Sequence, residues 1–264
     1  MRAKQIIEIL DNFCNPNLVD SWDNTGFQIG NDEIAVSKIL LSLDLDDRIA
    51  NKAINENYQM IITHHPILFR PLNSINNNNY LGRLILKLIS NGILVYNAHS
   101  NLDLTNGGVN DVLADKLDIK NTRPLNLVKV FNQVEQYGYG RVGEIDKIDA
   151  DKYLYKVKEA LDVNDIRVYG DTDRQISRVA VCGGSGGDFI KDAYESGADM
   201  YITGDIKYHE AQLGIQLGLI IVDAGHFHTE KFVLPKLEEV LEKQVGKNIY
   251  ICVDMETEVS YKIY

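Results

Sequence analysis

Val36-Ser-Lys-Ile-Leu-Leu-Ser-Leu-Asp44, then a helical pattern, then Tyr58-Gln-Met-Ile-Ile-Thr-His64-His65 is the stretch that decides the fold, because the chain repeats it. Ile176-Ser-Arg-Val-Ala-Val-Cys-Gly-Gly184, a second helical pattern, and Ala198-Asp-Met-Tyr-Ile-Thr-Gly204-Asp205 follow the same order, with Thr63 and Thr203 in equivalent places. The next units also correspond: Asn91-Gly-Ile-Leu-Val-Tyr-Asn-Ala-His99 against Leu217-Gly-Leu-Ile-Ile-Val-Asp-Ala-Gly225. Short Val/Ile/Leu-rich runs alternating with helices of about ten to fifteen residues are the pattern of βαβ units, whose parallel strands are buried on both faces. The predicted fold is therefore α/β, two similar halves with mixed, largely parallel sheets flanked by helices, built by internal duplication.

Between the halves, Asn121 to Gly143 breaks the pattern with Arg123-Pro124 and Tyr-Gly-Tyr-Gly-Arg141-Val-Gly, which reads as a crossover followed by a strand opening the second half. The boundary is placed there. A first α/β domain is expected over 1–125, completed by 226–264, and a second over 126–225. A helical pattern from Thr229 to Glu242 and a strand-like run from Ile249 to Val253 follow a motif that must meet His64 and His65, so the last segment is expected to return to the first domain. Asn73 to Asn79 is Asn-rich and reads as a surface loop.

Composition excludes several classes. With 264 residues, 45% hydrophobic and 25% charged, the chain is an ordinary globular protein able to bury a large core. A formal charge of -11, with no run of Lys or Arg, argues against a duplex nucleic-acid surface. Ile6, Leu10 and Phe13 recur at helical spacing between charges, unlike the unbroken apolar core of a signal peptide, and nowhere do eighteen apolar residues run together. No membrane span is expected, and the location expected is cytoplasmic. Cys14, Cys182 and Cys252 are odd in number and set in apolar contexts, which reads as reduced, buried thiols.

The chemistry gathers where strand-like runs end. His64 and His65 follow Met60 to Thr63 and precede Pro66; Asp103 follows Ile93 to Asn97; His226 and Glu230 stand four apart at the opening of a helix, so both can face one point. In open α/β sheets ligands collect outside the carboxyl ends of the strands, where loops bring distant residues together. Imidazole and carboxylate are the usual ligands of borderline and first-row divalent metals. Five such residues, too few to saturate two ions, leave positions open, as a catalytic site requires. The expectation is a dinuclear metal centre of two divalent ions on His64, His65, Asp103, His226 and Glu230, with Zn, Mn, Fe, Co and Ni all admissible. His99 and His209 are read as groups that support the ligands or contact substrate, and His228 as a helix-cap or surface residue.

Two further segments have open readings. Gly183-Gly-Ser-Gly-Gly187 follows a strand and opens a helix at Asp188; it is either a backbone cradle for a phosphate or only a tight turn. Trp22-Asp23-Asn24 is either a loop with a packed indole or part of a cavity lining.

The order Ser-Trp22-Asp23-Asn24-Thr-Gly26, Thr-His64-His65-Pro66, Ala-His99-Ser-Asn-Leu-Asp103, Tyr-Gly-Tyr-Gly-Arg141, Cys-Gly-Gly-Ser-Gly-Gly187, Thr-Gly-Asp205-Ile-Lys-Tyr-His209-Glu and Gly-His226-Phe-His-Thr-Glu230 resembles the Nif-three-like family, whose members are named GTP cyclohydrolase I type 2 homologs. The match runs nearly end to end. The resemblance implies a duplicated two-domain α/β fold, a dinuclear metal site on the same five residues with Glu230 bridging, and a ring-shaped homohexamer. The domain that some members insert between the halves has no room here. Two functions are compatible with it. One is a metal-dependent hydrolase acting on a small molecule, GTP or a related nucleotide or heterocycle. The other is a metal-binding or metal-handling protein without turnover, acting as a ring-shaped oligomer.

Overall fold

A computed structural model of the chain describes residues 1–131, 134–256 and 259. Two compact units emerge, one of Met1–Leu102 with Leu234–Tyr264 and the other of Asp103–Val233.

The first unit is built on a five-stranded sheet. Its chain order is α1 (Ala3–Phe13), β1 (Gly26–Ile29), β2 (Lys38–Ser42), α2 (Asp47–Asn55), β3 (Met60–Thr63), α3 (Tyr80–Ser90) and β4 (Leu94–Asn97), and after the second unit α10 (Val233–Val245) and β11 (Tyr250–Val253) complete it. The strands lie in the order β1-β4-β3-β2-β11. β2, β3, β4 and β11 run parallel, and β1 is antiparallel on β4. Helix starts follow from short polar side chains: the Asp46 carboxylate accepts from Ile49 N at 2.8 Å, and Asn79 Oδ1 accepts from Gly82 N at 2.7 Å. The Asn-rich segment thus ends as the cap of α3. Leu40, Ile61 and Val95 from the strands pack with Ile49 and Ala53 of α2 and with Leu84 and Leu88 of α3.

In the second unit the order is α5 (Val109–Lys116), β5 (Lys120–Phe131), β6 (Glu135–Asp149), α6 (Ala150–Leu161), β7 (Arg167–Tyr169), β8 (Gln175–Ser185), α7 (Ile190–Glu195), β9 (Met200–Gly204), α8 (Tyr208–Gln216), β10 (Ile220–Asp223) and α9 (His226–Glu230). Its six strands are ordered β5-β6-β8-β9-β10-β7. β8, β9 and β10 are parallel, with β7 antiparallel on β10. Alternate residues serve two cores: Val179, Val181, Met200, Ile202, Ile220 and Val222 face one, Ala180, Cys182, Tyr201 and Ile221 the other. That alternation explains why these strands are apolar at every position.

The duplication is visible in the ladders. β2, β3, β4 and antiparallel β1 of the first sheet match β8, β9, β10 and antiparallel β7 of the second. Thr63 sits opposite Asn97 as Thr203 sits opposite Asp223.

The segment from 121 to 143 forms no crossover. β5 and β6 are an antiparallel hairpin on the edge of the second sheet, pairing Asn126 with Tyr139 and Pro124 with Arg141. An edge strand tolerates Pro124, because its missing N–H is not needed by a further neighbour. The glycines are there for close approach: a Cβ on Gly138 would stand 2.9 Å from the Asn126 carbonyl carbon. The first unit accordingly ends near 102 instead of 125, because α5 belongs to the second core. Leu113, Ala114 and Leu117 pack with Val157 and Val179, and buried Arg141 grips Asp111 in a bidentate pair of 2.6 and 2.8 Å. The return to the first unit falls at 234 instead of 226, since α9 packs on β8 and β9 and β11 pairs with β2.

Candidate metal centre

In the first unit, His64, His65 and His99 bring ring nitrogens within 4.8 Å of one another. β3 ends at Thr63, so His64 and His65 occupy the turn that follows it; His99 leads into α4 (Ser100–Leu104) just after β4. Adjacent parallel strands end side by side, which sets the three rings together, with centroids 4.9 to 5.7 Å apart. His64 is fully buried, while His65 and His99 are half-buried.

Each ring is oriented through Nδ1. His64 Nδ1 lies 2.8 Å from the Ala98 carbonyl, His65 Nδ1 2.8 Å from Asp44 Oδ1, and His99 Nδ1 2.9 Å from Asp23 Oδ1. A carbonyl or carboxylate can only accept, so Nδ1 carries the proton, and a neutral ring then offers its Nε2 lone pair. Histidines that bind metals are held in this way. Burial alone would raise the Asp23 pKa, but hydrogen bonds from His99 and Ser100 outweigh it and hold the carboxyl well below the usual carboxylate range.

The second unit assembles Asp103, His226 and Glu230 around Glu230. Asp103 and Glu230 have carboxylate oxygens within 4.8 Å, and Glu230 Oε2 lies 3.2 Å from His226 Nε2. His226 Nδ1 is 2.8 Å from Asp205 Oδ2, so this ring is oriented like those of the first unit. Its Nε2 lone pair therefore meets carboxylate lone pairs, a contact that becomes favourable when a cation joins them or the ring takes a second proton. A divalent ion suits this donor set.

Two structural details position these groups. Asn110, fully buried, donates from Nδ2 to the Asp103 carbonyl at 3.0 Å and accepts from Gly183 N at 2.9 Å, tying the Asp103 segment to the glycine-rich loop. That loop runs directly beneath the carboxylate: a Cβ on Gly184, which has φ +66°, would overlap Glu230 Oε1 and stand 3.2 Å from His226 Nε2. Three amides of the loop are already engaged within this unit, Gly183 N on Asn110, Gly184 N on Thr229 Oγ1 at 3.0 Å and Gly186 N on Thr203 Oγ1 at 3.0 Å, which favours the tight-turn reading over a phosphate cradle.

The remaining sequence candidates separate. His99 stands among the ring nitrogens of the first set. His209 joins neither set; it is exposed on α8 with Gln212 3.4 Å away. His228 is half-buried, and burial together with Lys231 lowers its pKa, which keeps the ring neutral. Sequence reasoning missed Asp23, Asp44 and Asp205 as the partners that orient His99, His65 and His226. A signal for Asp205 was present, since Thr203-Gly204-Asp205 aligns with Thr63-His64-His65.

Comparison with known proteins gives the family and the fold. The family model for Duf34/NIF3 (NGG1p interacting factor 3) matches residues 1–259. The chain belongs to the Duf34/NIF3 family. Among its relatives are proteins named GTP cyclohydrolase 1 type 2 homolog from Clostridium acetobutylicum, 37% identical over 99% of this chain and 98% of that one, and from Clostridium perfringens, 35% identical over 97% of each. A crystal structure of a Bacillus cereus protein related to NIF3 is similar over 100% of this chain and 99% of its own, with a TM-score of 0.92 at 25% identity. Reduced HcgD from Methanocaldococcus jannaschii gives a TM-score of 0.81 at 31% identity, covering 96% and 97%. For this Duf34/NIF3 chain the mixed α/β fold with two helix-flanked sheets is thus shared with its relatives.

Proposed function

We propose that this chain is a metal-dependent hydrolase acting on GTP or a related nucleotide or heterocycle, with His64, His65, Asp103, His226 and Glu230 together holding two divalent ions. The observation that carries the reading is the uniform orientation of the rings: His64, His65 and His226 each direct Nδ1 to a carbonyl or carboxylate and keep Nε2 for a ligand. The names of the relatives support the substrate class. Two bound ions would supply a water ionised near neutral pH and polarisation of a substrate oxygen.

The chain's own residues perform the rest. Glu230, within reach of both Asp103 and His226, is the member suited to bridging. His99, oriented by Asp23, can accept and return a proton at Nε2, since its ring is half-buried and its Nδ1 proton is fixed. Asp44 and Asp205 keep the ligand rings in the productive tautomer. We further propose that the protein acts as a cytoplasmic homo-oligomer, a hexamer; among the described residues no helix is long and apolar enough to cross a membrane.

The test is metal-loaded protein on GTP and on a panel of nucleotides and heterocycles, with Glu230→Ala as control. Turnover that Glu230→Ala abolishes while the oligomer persists is the expected result. Two bound ions with no turnover across the panel would leave only a metal-binding role.

A further inference from the structure

Trp22 is the single tryptophan of the chain and is 58% exposed, yet the loop that carries it is tied down by hydrogen bonds of its neighbours. The side chain of neighbouring Asp23 is completely enclosed and accepts from Ser100 N at 3.0 Å, Ser100 Oγ at 2.6 Å and Thr25 Oγ1 at 2.8 Å besides holding His99. Asn24 Nδ2 donates to the Leu68 carbonyl at 2.6 Å, and Gln28 bridges the same two loops, donating to Asn24 O at 2.8 Å and accepting from Leu68 N at 3.2 Å. Leu68 precedes Phe69, itself 46% exposed. The indole and the Phe69 ring meet edge to face at 6.1 Å, and each stands against His99, at 5.9 and 6.3 Å.

A lone exposed aromatic needs no explanation. Two large rings held in contact by seven hydrogen bonds to their neighbours, open to solvent and set against a histidine of the candidate centre, do. Folding gains little from leaving them uncovered, whereas a rigid aromatic surface binds a ring without the entropy cost of ordering it.

We infer that Trp22 and Phe69 form a stacking platform that receives a planar, uncharged heteroaromatic ring, of the kind found in a nucleobase, beside His99. This rests on the reading that the histidines serve a small-molecule site. A ring fits better than an organic cation, because two side chains make an open lip, not an enclosing cage, and the nearby Asp23 charge is already engaged by His99, Ser100 and Thr25. Stacking of a base on an aromatic side chain contributes about 1–3 kcal/mol by alanine substitution, so losing one ring should weaken binding roughly fivefold to a hundredfold.

Because Trp22 is the only tryptophan, fluorescence excited at the red edge of indole absorption, where the 14 tyrosines do not absorb, reports this loop alone. Inosine, with ribose and tetramethylammonium as controls, would be titrated into metal-free and metal-loaded full-length protein. We expect an emission maximum typical of an exposed indole, saturable quenching by inosine and none by the controls. Phe69→Ala should weaken inosine binding at least fivefold, while Tyr250→Ala, an exposed aromatic on the opposite edge of the sheet from β1, should not change it. Linear quenching without saturation, equal affinity for tetramethylammonium, unchanged affinity in Phe69→Ala, or the emission of an already covered indole would each overturn the proposal. Saturable inosine binding without turnover of any substrate removes the hydrolase reading and leaves the platform; turnover with unsaturable quenching does the reverse.

Discussion

Gly184→Ala isolates the role of the glycine-rich loop. At φ +66° an alanine pays a backbone cost of about 1–2 kcal/mol, and this cost is shared by Gly218→Ala, since Gly218 has φ +76° and open space where a Cβ would go. The two substitutions differ only in what the methyl meets. At 184 it overlaps Glu230 Oε1, with the carboxylate carbon and His226 Nε2 each 3.2 Å away. The backbone cannot withdraw, because Gly184 N donates to Thr229 Oγ1 and Gly184 O accepts from Thr203 Oγ1 at 3.2 Å. The Glu230 carboxylate must therefore move by about 1 Å to regain van der Waals separation. Displacing a ligand by that much should cost roughly tenfold to a hundredfold in metal affinity, about 1.4–2.8 kcal/mol beyond the shared backbone cost. Competition titration against a chelator, with circular dichroism to confirm folding, measures both terms. Equal metal affinities for Gly184→Ala and Gly218→Ala would refute the reasoning. A further check is Glu230→Asp in the Gly184→Ala background, where the shorter side chain relieves the overlap and the two changes should be non-additive.

Three other outcomes are expected. Asp205→Ala removes the carboxylate that orients His226; because Asp205 is exposed but at φ +55°, which alanine tolerates less well than aspartate, stability should fall by about 1 kcal/mol or less while metal affinity drops about tenfold or more by chelator competition. Asp254 would be raised by burial, but Arg48 at 2.9 Å and Lys52 at 2.7 Å lower its folded pKa below the unfolded value. Its stabilisation is thus fully present above about pH 4 and is lost as pH falls through the folded pKa. Asp254→Asn should cost about 1–2 kcal/mol at neutral pH by denaturant titration, and the gap to the unmodified chain should close in acid. Burial pushes the Cys14 thiol up to about 12 and that of Cys182 higher still, so neither should react with iodoacetamide at neutral pH until the protein unfolds, whereas half-buried Cys252 should react partly. Rapid labelling of Cys14 or Cys182 in the native state would contradict the burial of β8 and α1.

The parts of the fold legible in the sequence are those written in local periodicity. β3 was readable as Met60 to Thr63 because four apolar residues end at a histidine pair and a proline. The β5–β6 hairpin was not, because Pro124 and the glycines at 138, 140 and 143 are ordinarily breakers; here they are consequences of an edge position and of close strand contact, which only tertiary pairing defines. Candidate ligands were legible by type. Their orientation was not, since it depends on hydrogen bonds between side chains far apart in the chain: Asp23 to His99 spans 76 positions.

Parallel strand geometry offers a route to two of these contacts. Asp44 to His65 and Asp205 to His226 both span 21 positions, and in both an aspartate at one strand end fixes a histidine set after the neighbouring parallel strand. Parallel strands make this repeatable, because they finish on the same edge of the sheet and leave two loops within side-chain reach of each other. The same geometry orients an imidazole twice, at strand pairs that are not each other's repeat: β2 and β3 match β8 and β9, whereas Asp205 and His226 follow β9 and β10. Exchanging aspartate for asparagine at 44 or at 205 should then lower metal affinity in each case, and a large loss at one position with none at the other would show that only one of the two contacts serves the centre.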